Sequence, residues 1–224
     1  MELVVVHRPG VLLRRRGYQI AKRLLDVTIS LMLLPFVLPV SLICAVAIAL
    51  DSPGPVLFVQ DRIGKGGRRF KLYKFRTMHH DCDTSDHHAF MKAFVNGELD
   101  EKAVGNGIFK PVNERQLTRV GRILRKTSLD ELPQLINVIR GEMSLVGPRP
   151  NVPWEVEAYR GWHKERLEVL PGITGLAQIN GRSSNTFDKI VRYDIEYIEN
   201  RSLKMDLRIL WRTVISVLAG KGAH

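Results

Sequence analysis

From Val27 to Leu50 the chain carries no charged side chain, and most positions are Leu, Ile, Val, Ala or Phe. As a straight helix rising about 1.5 Å per residue the run would measure roughly 36 Å, enough for a bilayer core of about 30 Å. The pattern therefore predicts membrane insertion. The run is too long for the apolar region of a cleaved signal peptide, and no small-residue cleavage site follows it. Pro35 and Pro39 lie one helical turn apart within it. Each lacks an N–H and crowds the carbonyl four residues back, which predicts a bend over Leu31–Pro39. Basic residues flank both ends, with Arg14, Arg15, Arg16, Lys22 and Arg23 before the run and Arg62, Lys65, Arg68 and Arg69 after it. A simple span would put one cluster outside, against the positive-inside tendency, whereas a re-entrant turn keeps both on the cytoplasmic side. The expected organisation is a basic N-terminal segment (residues 1–21), a re-entrant membrane helix (22–50) broken at Pro35 and Pro39, and a cytosolic domain (51–224).

Beyond the apolar run, Asp51-Ser52-Pro53-Gly54-Pro55 reads as a turn at the membrane exit. Val56–Gln60 and Phe70–Phe75, separated by Gly64-Lys65-Gly66-Gly67, predict a β-hairpin with a basic edge. His79 to Asn113 is polar and poorly periodic, a loop with one short helix near Ala89–Val95. A basic helix follows around Leu117–Lys126, then an acidic helix start at Ser128–Glu131 and a helix to Arg140 that Gly141 ends. Loops are expected from Glu142 to Ser184. Near the C-terminus Lys204, Arg208 and Arg212 share one helical face beside an apolar face of Leu207, Leu210, Trp211, Val214, Val217 and Leu218. Such a helix either lies in the headgroup plane or packs on the core. The fold class is α/β, mostly helical with a short β-hairpin: a compact cytosolic domain on a re-entrant membrane helix and interfacial amphipathic helices.

The net charge of +11 and pI near 9.9 point to anionic partners, among which nucleic acid, acidic lipid and phosphorylated substrates all qualify. No nucleic-acid fold signature accompanies the charge, so nucleic acid is set aside. Cys44 and Cys82 have no metal-ligand spacing. The patch His79-His80-Asp81-Cys82-Asp83, followed by His87-His88, has no second cluster at a known spacing and reads as a solvated loop before it reads as a zinc site.

Chemistry concentrates at Asp130 and Glu131, adjacent carboxylates preceded by Arg122, Arg125 and Lys126. A capping box of Ser128 with Glu131 is the structural explanation for that acidity. Pro133 complicates it, because it falls where such a helix already needs an N–H, and moves the helix start toward Asp130. Arg76, Arg125, Arg149 and Arg182 each lie beside turn residues or a helix end, where guanidinium groups suit a bidentate grip on phosphate. A carboxylate pair amid arginines, next to a lipid-embedded helix, suggests Mg²⁺ and diphosphate chemistry. On the residues alone the chain is a membrane enzyme, or a receptor for a phosphorylated ligand.

Six ordered strings extend this reading: Lys22-Arg23-Leu24-Leu25-Asp26, Asp51-Ser52-Pro53-Gly54-Pro55-Val56, the run from Phe70 through Lys74-Phe75-Arg76 to Met78, the run from Thr127 through Leu129-Asp130-Glu131 to Gln134, Ser144-Leu145-Val146-Gly147-Pro148-Arg149-Pro150, and Pro171-Gly172-Ile173-Thr174-Gly175. Together they resemble the catalytic domain of the monotopic phosphoglycosyl transferases, the bacterial sugar transferase family. The resemblance implies transfer of a sugar-1-phosphate from a UDP-sugar to polyprenol (undecaprenyl) phosphate, with release of UMP. It implies Asp130 as nucleophile through an aspartyl-phosphosugar, Glu131 with Asp130 at Mg²⁺, and Arg125, Arg149, Arg182 and Asp194 at active-site positions. It also implies the bacterial inner (cytoplasmic) membrane, with a phospholipid surface as partner and the catalytic domain facing the cytoplasm. The sequence leaves homo-oligomer formation open. Two departures stand out. Leu38-Pro39 replaces the Ser-Pro often found at the helix break, and the His79–Asn113 insert resembles that of larger relatives that transfer hexose-1-phosphate in exopolysaccharide synthesis. Glucose or galactose is accordingly expected over an N-acetylated sugar. No multi-span region precedes Lys22, so the minimal catalytic kind is expected. The rival readings are a membrane-tethered binder of nucleic acid or lipid headgroups and a scaffold for polysaccharide assembly.

Overall fold

A computed structural model of the chain describes residues 16–79, 85–97, 116–181 and 185–219. Most of the basic N-terminal segment, His80 to Asp83 of the histidine patch, most of the following insert and Arg182 lie outside the described residues. Helix α1 (Arg16–Asp51) carries both Pro35 and Pro39 within it, so helical structure runs on through the segment Leu31–Pro39 where a bend was expected. Two prolines remove only the partners of the Leu31 and Pro35 carbonyls, and the rest of the ladder carries the helix across. Asp26, Ser30, Cys44 and Ile48 are buried along one face, and Ile29 and Val37 pack on the main core. These positions follow helical spacing and seat α1 on the domain over much of its length. The opposite face, with Leu24, Leu31, Met32, Phe36, Leu42, Ile43, Val46 and Leu50, is exposed and apolar.

Both ends of α1 are tied to the same body. Near its start, Tyr18 Oη donates to Asp206 Oδ2 at 2.9 Å and Lys22 Nζ lies 3.3 Å from the same carboxylate. Arg23 donates to the Val138 and Ile139 carbonyls, and Asp26 Oδ1 accepts from Leu145 N at 3.2 Å. At the far end Asp51 Oδ2 accepts from Val120 N at 2.9 Å.

The predicted hairpin forms from β1 (Leu57–Ile63) and β2 (Arg69–Phe75), antiparallel from Leu57↔Phe75 to Ile63↔Arg69. Phe70 and Leu72 alternate into the core with Leu135, Val138, Met143, Leu145, Val146, Tyr197 and Ile209. Helix α2 (Ser85–Asn96) brings Phe94 and Val95 into a second cluster with Tyr159, Phe187 and Val191. Helices α3 (Arg119–Thr127) and α4 (Gln134–Arg140) follow, the latter ended by Gly141 at φ 80°. Asn137 on α4 behaves as a substitute strand for β2, accepting from Tyr73 N at 3.2 Å and donating to Lys71 O at 2.7 Å.

The expected loop region is more ordered than its sequence suggested. Strands β3 (Ser144–Val146) and β4 (Gly172–Thr174) pair in parallel, with α5 (Pro153–Glu157) and a 3₁₀ segment (Gly161–Glu168) between them and α6 (Leu176–Ile179) after. A Cβ on Gly172 would fall 2.1 Å from Gly147 N, so the close approach of these two motif segments requires glycine. Helix α7 (Phe187–Asn200) buries Phe187, Val191, Asp194 and Ile198 at helical spacing. Helix α8 (Leu203–Leu218) buries Asp206 and Ile209 inward and exposes Leu207, Trp211, Val214 and Ile215 outward, with exposed Lys204, Arg208 and Arg212 beside them. The C-terminal helix thus packs on the core with one face and keeps a free apolar face with basic residues beside it. The described residues are mostly helical, with two small two-stranded sheets.

Candidate active site

Helix α3 ends at Ser128, whose φ of 57° makes it the one non-glycine residue with positive φ among the described residues. Its N–H closes α3 on the Arg125 carbonyl at 3.1 Å, and its side chain makes no capping bond to the following turn. The Ser128/Glu131 capping box therefore does not form, and the acidity of this turn is not explained by helix capping. A 3₁₀ turn (Leu129–Glu131) and Pro133 lead directly into α4. Leu129 and Leu132 pack against Cys44, Ile48, Phe75 and Leu124. These apolar flanks pin the turn to α1 and leave Asp130 and Glu131, between them, half-buried.

Three cations meet the pair from three other places in the chain. Arg149 Nη1 lies 3.1 Å from Glu131 Oε1, and Lys74 Nζ lies 3.8 Å from the same oxygen. Arg125, on the last turn of α3, acts on both carboxylates. Burial pushes Asp130 above the ordinary carboxylate range, opposed by Lys74 and reinforced by Glu131; Arg125 and Arg149 also oppose it. Burial, and next Arg149, pull Lys74 down to about 8 against the two acids. Glu131 holds Arg149 above the usual guanidinium range. With three cations around two carboxylates, the site carries surplus positive charge and suits a polyanion.

Arg125, Arg149, Asp130 and Glu131 thus come together as the sequence reading had them. Arg76 is committed elsewhere: its guanidinium donates to the Ser52 and Pro53 carbonyls at 2.7 Å each and to Ser52 Oγ at 3.0 Å. It clamps the exit of α1 to the end of β2. Asp194 is sealed in an ion pair with Arg166, 2.6 Å between Oδ2 and Nη2, with burial pushing its carboxyl up to about 6 against the pull of Arg166. Arg182 lies outside the described residues.

Lys74 was not singled out by the sequence reading, although the string containing it was. Its signal was positional: Phe70 and Leu72 are buried, and the period of two places Lys74 on the same face. A lysine in register with a core-facing stripe needs a reason, and the carboxylates supply one. Arg62 was read only as a membrane-flanking charge; it is half-buried, and desolvation pulls it down to about 10.

Among the described residues no group of three or more His, Cys, Asp or Glu gathers to hold a metal. The donor set of Asp130 and Glu131 still fits Mg²⁺, which takes one or two carboxylates and fills its shell from phosphates and water.

The bacterial sugar transferase family matches the chain over residues 17–220. The chain belongs to that family. Among other members of the bacterial sugar transferase family, it is 40% identical over 225 residues to a UDP-glucose:undecaprenyl-phosphate glucose-1-phosphate transferase of Caulobacter vibrioides, covering 97% of this chain and 77% of the relative. It is 40% identical over 208 residues to the galactosyl transferase CpsE of Streptococcus agalactiae, covering 92% and 44%. An N-acetylgalactosaminephosphotransferase acting on UDP-N-acetylgalactosamine and undecaprenyl phosphate, from Aeromonas hydrophila, is 37% identical over 221 residues, covering 96% and 48%. The chain thus spans under half the length of two of these three relatives.

Proposed function

We propose that this chain transfers a hexose-1-phosphate from a UDP-sugar to undecaprenyl phosphate, releasing UMP, as the first membrane step of exopolysaccharide or other glycoconjugate synthesis. The observation that carries the proposal is Asp130, half-buried beside Glu131 and opposed by Lys74, Arg125 and Arg149. The names of the relatives support a nucleotide-sugar donor and a polyprenol phosphate acceptor, and they include both glucose and N-acetylgalactosamine donors.

An Asp130 carboxylate oxygen attacks the sugar-bearing phosphorus, and the bond from that phosphorus to the bridging oxygen of UDP breaks. The bridging oxygen leaves on UMP. The phosphate of undecaprenyl phosphate then attacks the same phosphorus and returns Asp130 as a free carboxylate. Two sequential displacements let both substrates use one anion site. Lys74, Arg125 and Arg149 neutralise the charge gathered on the phosphate oxygens. Mg²⁺, held by Glu131 with Asp130, would supply further neutralisation of the diphosphate.

The apolar outer face of α1 enters lipid, and the free face of α8 lies in the headgroup plane. In this reading both ends of α1 lie on the cytoplasmic side of the inner membrane, and their bonds to one domain support a shared side. That placement supports a re-entrant over a spanning anchor, and it brings the acceptor phosphate to the level of Asp130.

Enzyme mixed with UDP-sugar alone tests the covalent step. UMP should appear as a burst no larger than the enzyme concentration, and mass spectrometry should find a phosphosugar on the peptide carrying Asp130. UMP that appears only after lipid is added would instead favour direct attack in a ternary complex, with Asp130 as base or metal ligand.

A further inference from the structure

Arg149 stands between two prolines, in a stretch whose carbonyls are held from three other places in the fold. Gly172 N donates to Pro148 O at 2.8 Å, Arg166 Nη2 to Arg149 O at 3.2 Å, Arg62 Nη1 to Pro150 O at 2.9 Å, and Ile63 N to Asn151 O at 2.9 Å. The prolines offer no N–H, so backbone pairing alone cannot fix this stretch, and side chains complete the frame.

Arg166 contributes most to that frame. Its side chain is 3% exposed and pairs with Asp194, itself 2% exposed, at 2.6 Å. Nη1 donates to Asn151 Oδ1 at 2.7 Å and to Tyr159 Oη at 3.0 Å, and the guanidinium carbon lies 5.8 Å and 5.6 Å from the ring centroids of Tyr159 and Phe187. Asn151 is held in turn by Glu155, Nδ2 to Oε2 at 2.5 Å. A buried guanidinium held by an ion pair and by hydrogen bonds through both Nη atoms has little freedom to move. From there it reaches the main chain of Arg149 on one side and the side chain of Asn151 on the other.

We propose that Arg166, oriented by Asp194, is the positioning residue for Arg149, fixing where that guanidinium meets Glu131 and the substrate phosphates. The proposal rests on the reading of Arg149 as a phosphate-binding group. Asp194 then acts through Arg166 and touches no reacting atom. The alternative is a core ion pair whose loss costs stability and nothing else.

A double-mutant comparison in the full-length, membrane-reconstituted chain separates the two. In the wild-type background Arg149→Ala should lower kcat/KM for UMP release by about 10²-fold, the scale of losing one well-placed charge donor. In an Asp194→Asn background, or in Arg166→Met/Asp194→Leu where an apolar pair replaces the buried ions, the same Arg149→Ala change should cost less than about threefold, because Arg149 is already displaced. Asp194→Asn keeps the shape of the site and so guards against failure to fold, which thermal unfolding checks in both backgrounds. A full 10²-fold effect of Arg149→Ala in a folded Asp194→Asn chain would falsify the positioning role and leave the active-site reading standing. An Arg149→Ala chain as active as wild type would overturn both.

Discussion

Asp130 and Glu131 with their three cations, and Asp194 with Arg166, are built from the same chemical groups, yet one cluster is open and the other closed. In the open cluster three cations face two carboxylates, and the Arg149 side chain is 47% exposed. In the closed one a single cation meets a single carboxylate, and both side chains are nearly sealed. A balanced buried pair has little left to offer a ligand, since its charges are already neutralised at a desolvation cost. A cluster with surplus charge and a path to solvent keeps its affinity for an incoming polyanion. Access and charge balance, more than residue type, separate the binding site from its support.

The largest effect expected from breaking this contrast is at Asp130, the proposed nucleophile. Asp130→Asn should lower turnover on the order of 10⁴-fold or more, since an amide is a far poorer nucleophile toward phosphorus, while binding of UDP-sugar through the cations largely survives. Asp194→Asn, measured in the same assay, should lose about 10²-fold, close to the loss of Arg149 itself. Equal losses in two folded variants would place Asp194 in the site itself.

Lys74 sharpens the comparison through pH. Its amine is held down to about 8, so it is charged below that value and neutral above it. Activity that depends on its charge is present below about pH 8 and is lost as pH rises through it. On the acid side, activity falls as Asp130 gains its proton, beginning above the ordinary carboxylate range because burial raises it. Lys74→Arg should move the alkaline limb upward, and Lys74→Met should lower the rate about 10²-fold. An unchanged alkaline limb in Lys74→Arg would assign that titration to another group.

Arg76 carries the smallest expected effect on rate. It is 4% exposed and bonded to Ser52 and Pro53, so Arg76→Lys should cost about 2 kcal/mol of stability, the scale of charged hydrogen bonds. The rate per folded molecule should stay within about threefold of wild type. A rate loss as large as that of Lys74→Met, at unchanged melting temperature, would return Arg76 to the substrate site.

Much of this was legible in the chain. The apolar run, the hairpin and the turn at Asp130 each leave a local signature in periodicity or turn residues, and each is found. The parallel pairing of Ser144–Val146 with Gly172–Thr174 left none, because three-residue strands are too short to show a period and parallel partners are far apart in sequence. Helix α7 was missed although its buried residues follow helical spacing. Around Asp130, the grouping with Glu131, Arg125 and Arg149 was legible because their motifs sit at turns and helix ends. Arg76 and Asp194 carried equal weight in sequence, and only burial and partners, which are tertiary facts, pair them with Ser52, Pro53 and Arg166 instead. The continuation of α1 through two prolines was hidden for a similar reason, since its inner face is supported by residues far along the chain.

That support has a consequence for how the chain comes into being. Tyr18 bonds to Asp206, 188 positions later, and Asp26 to Leu145, 119 positions later. At a synthesis speed of about 5–20 residues per second, the whole of α1 is made roughly eight to thirty seconds before its last tether exists. Lipid is the solvent suited to its apolar face during that interval, and Lys22 and Asp26, one turn apart and 3.7 Å from each other, can shield one another until α8 arrives. A ribosome stalled before Asp206 would therefore leave α1 with the Asp206 tether of Tyr18 and Lys22 unmade.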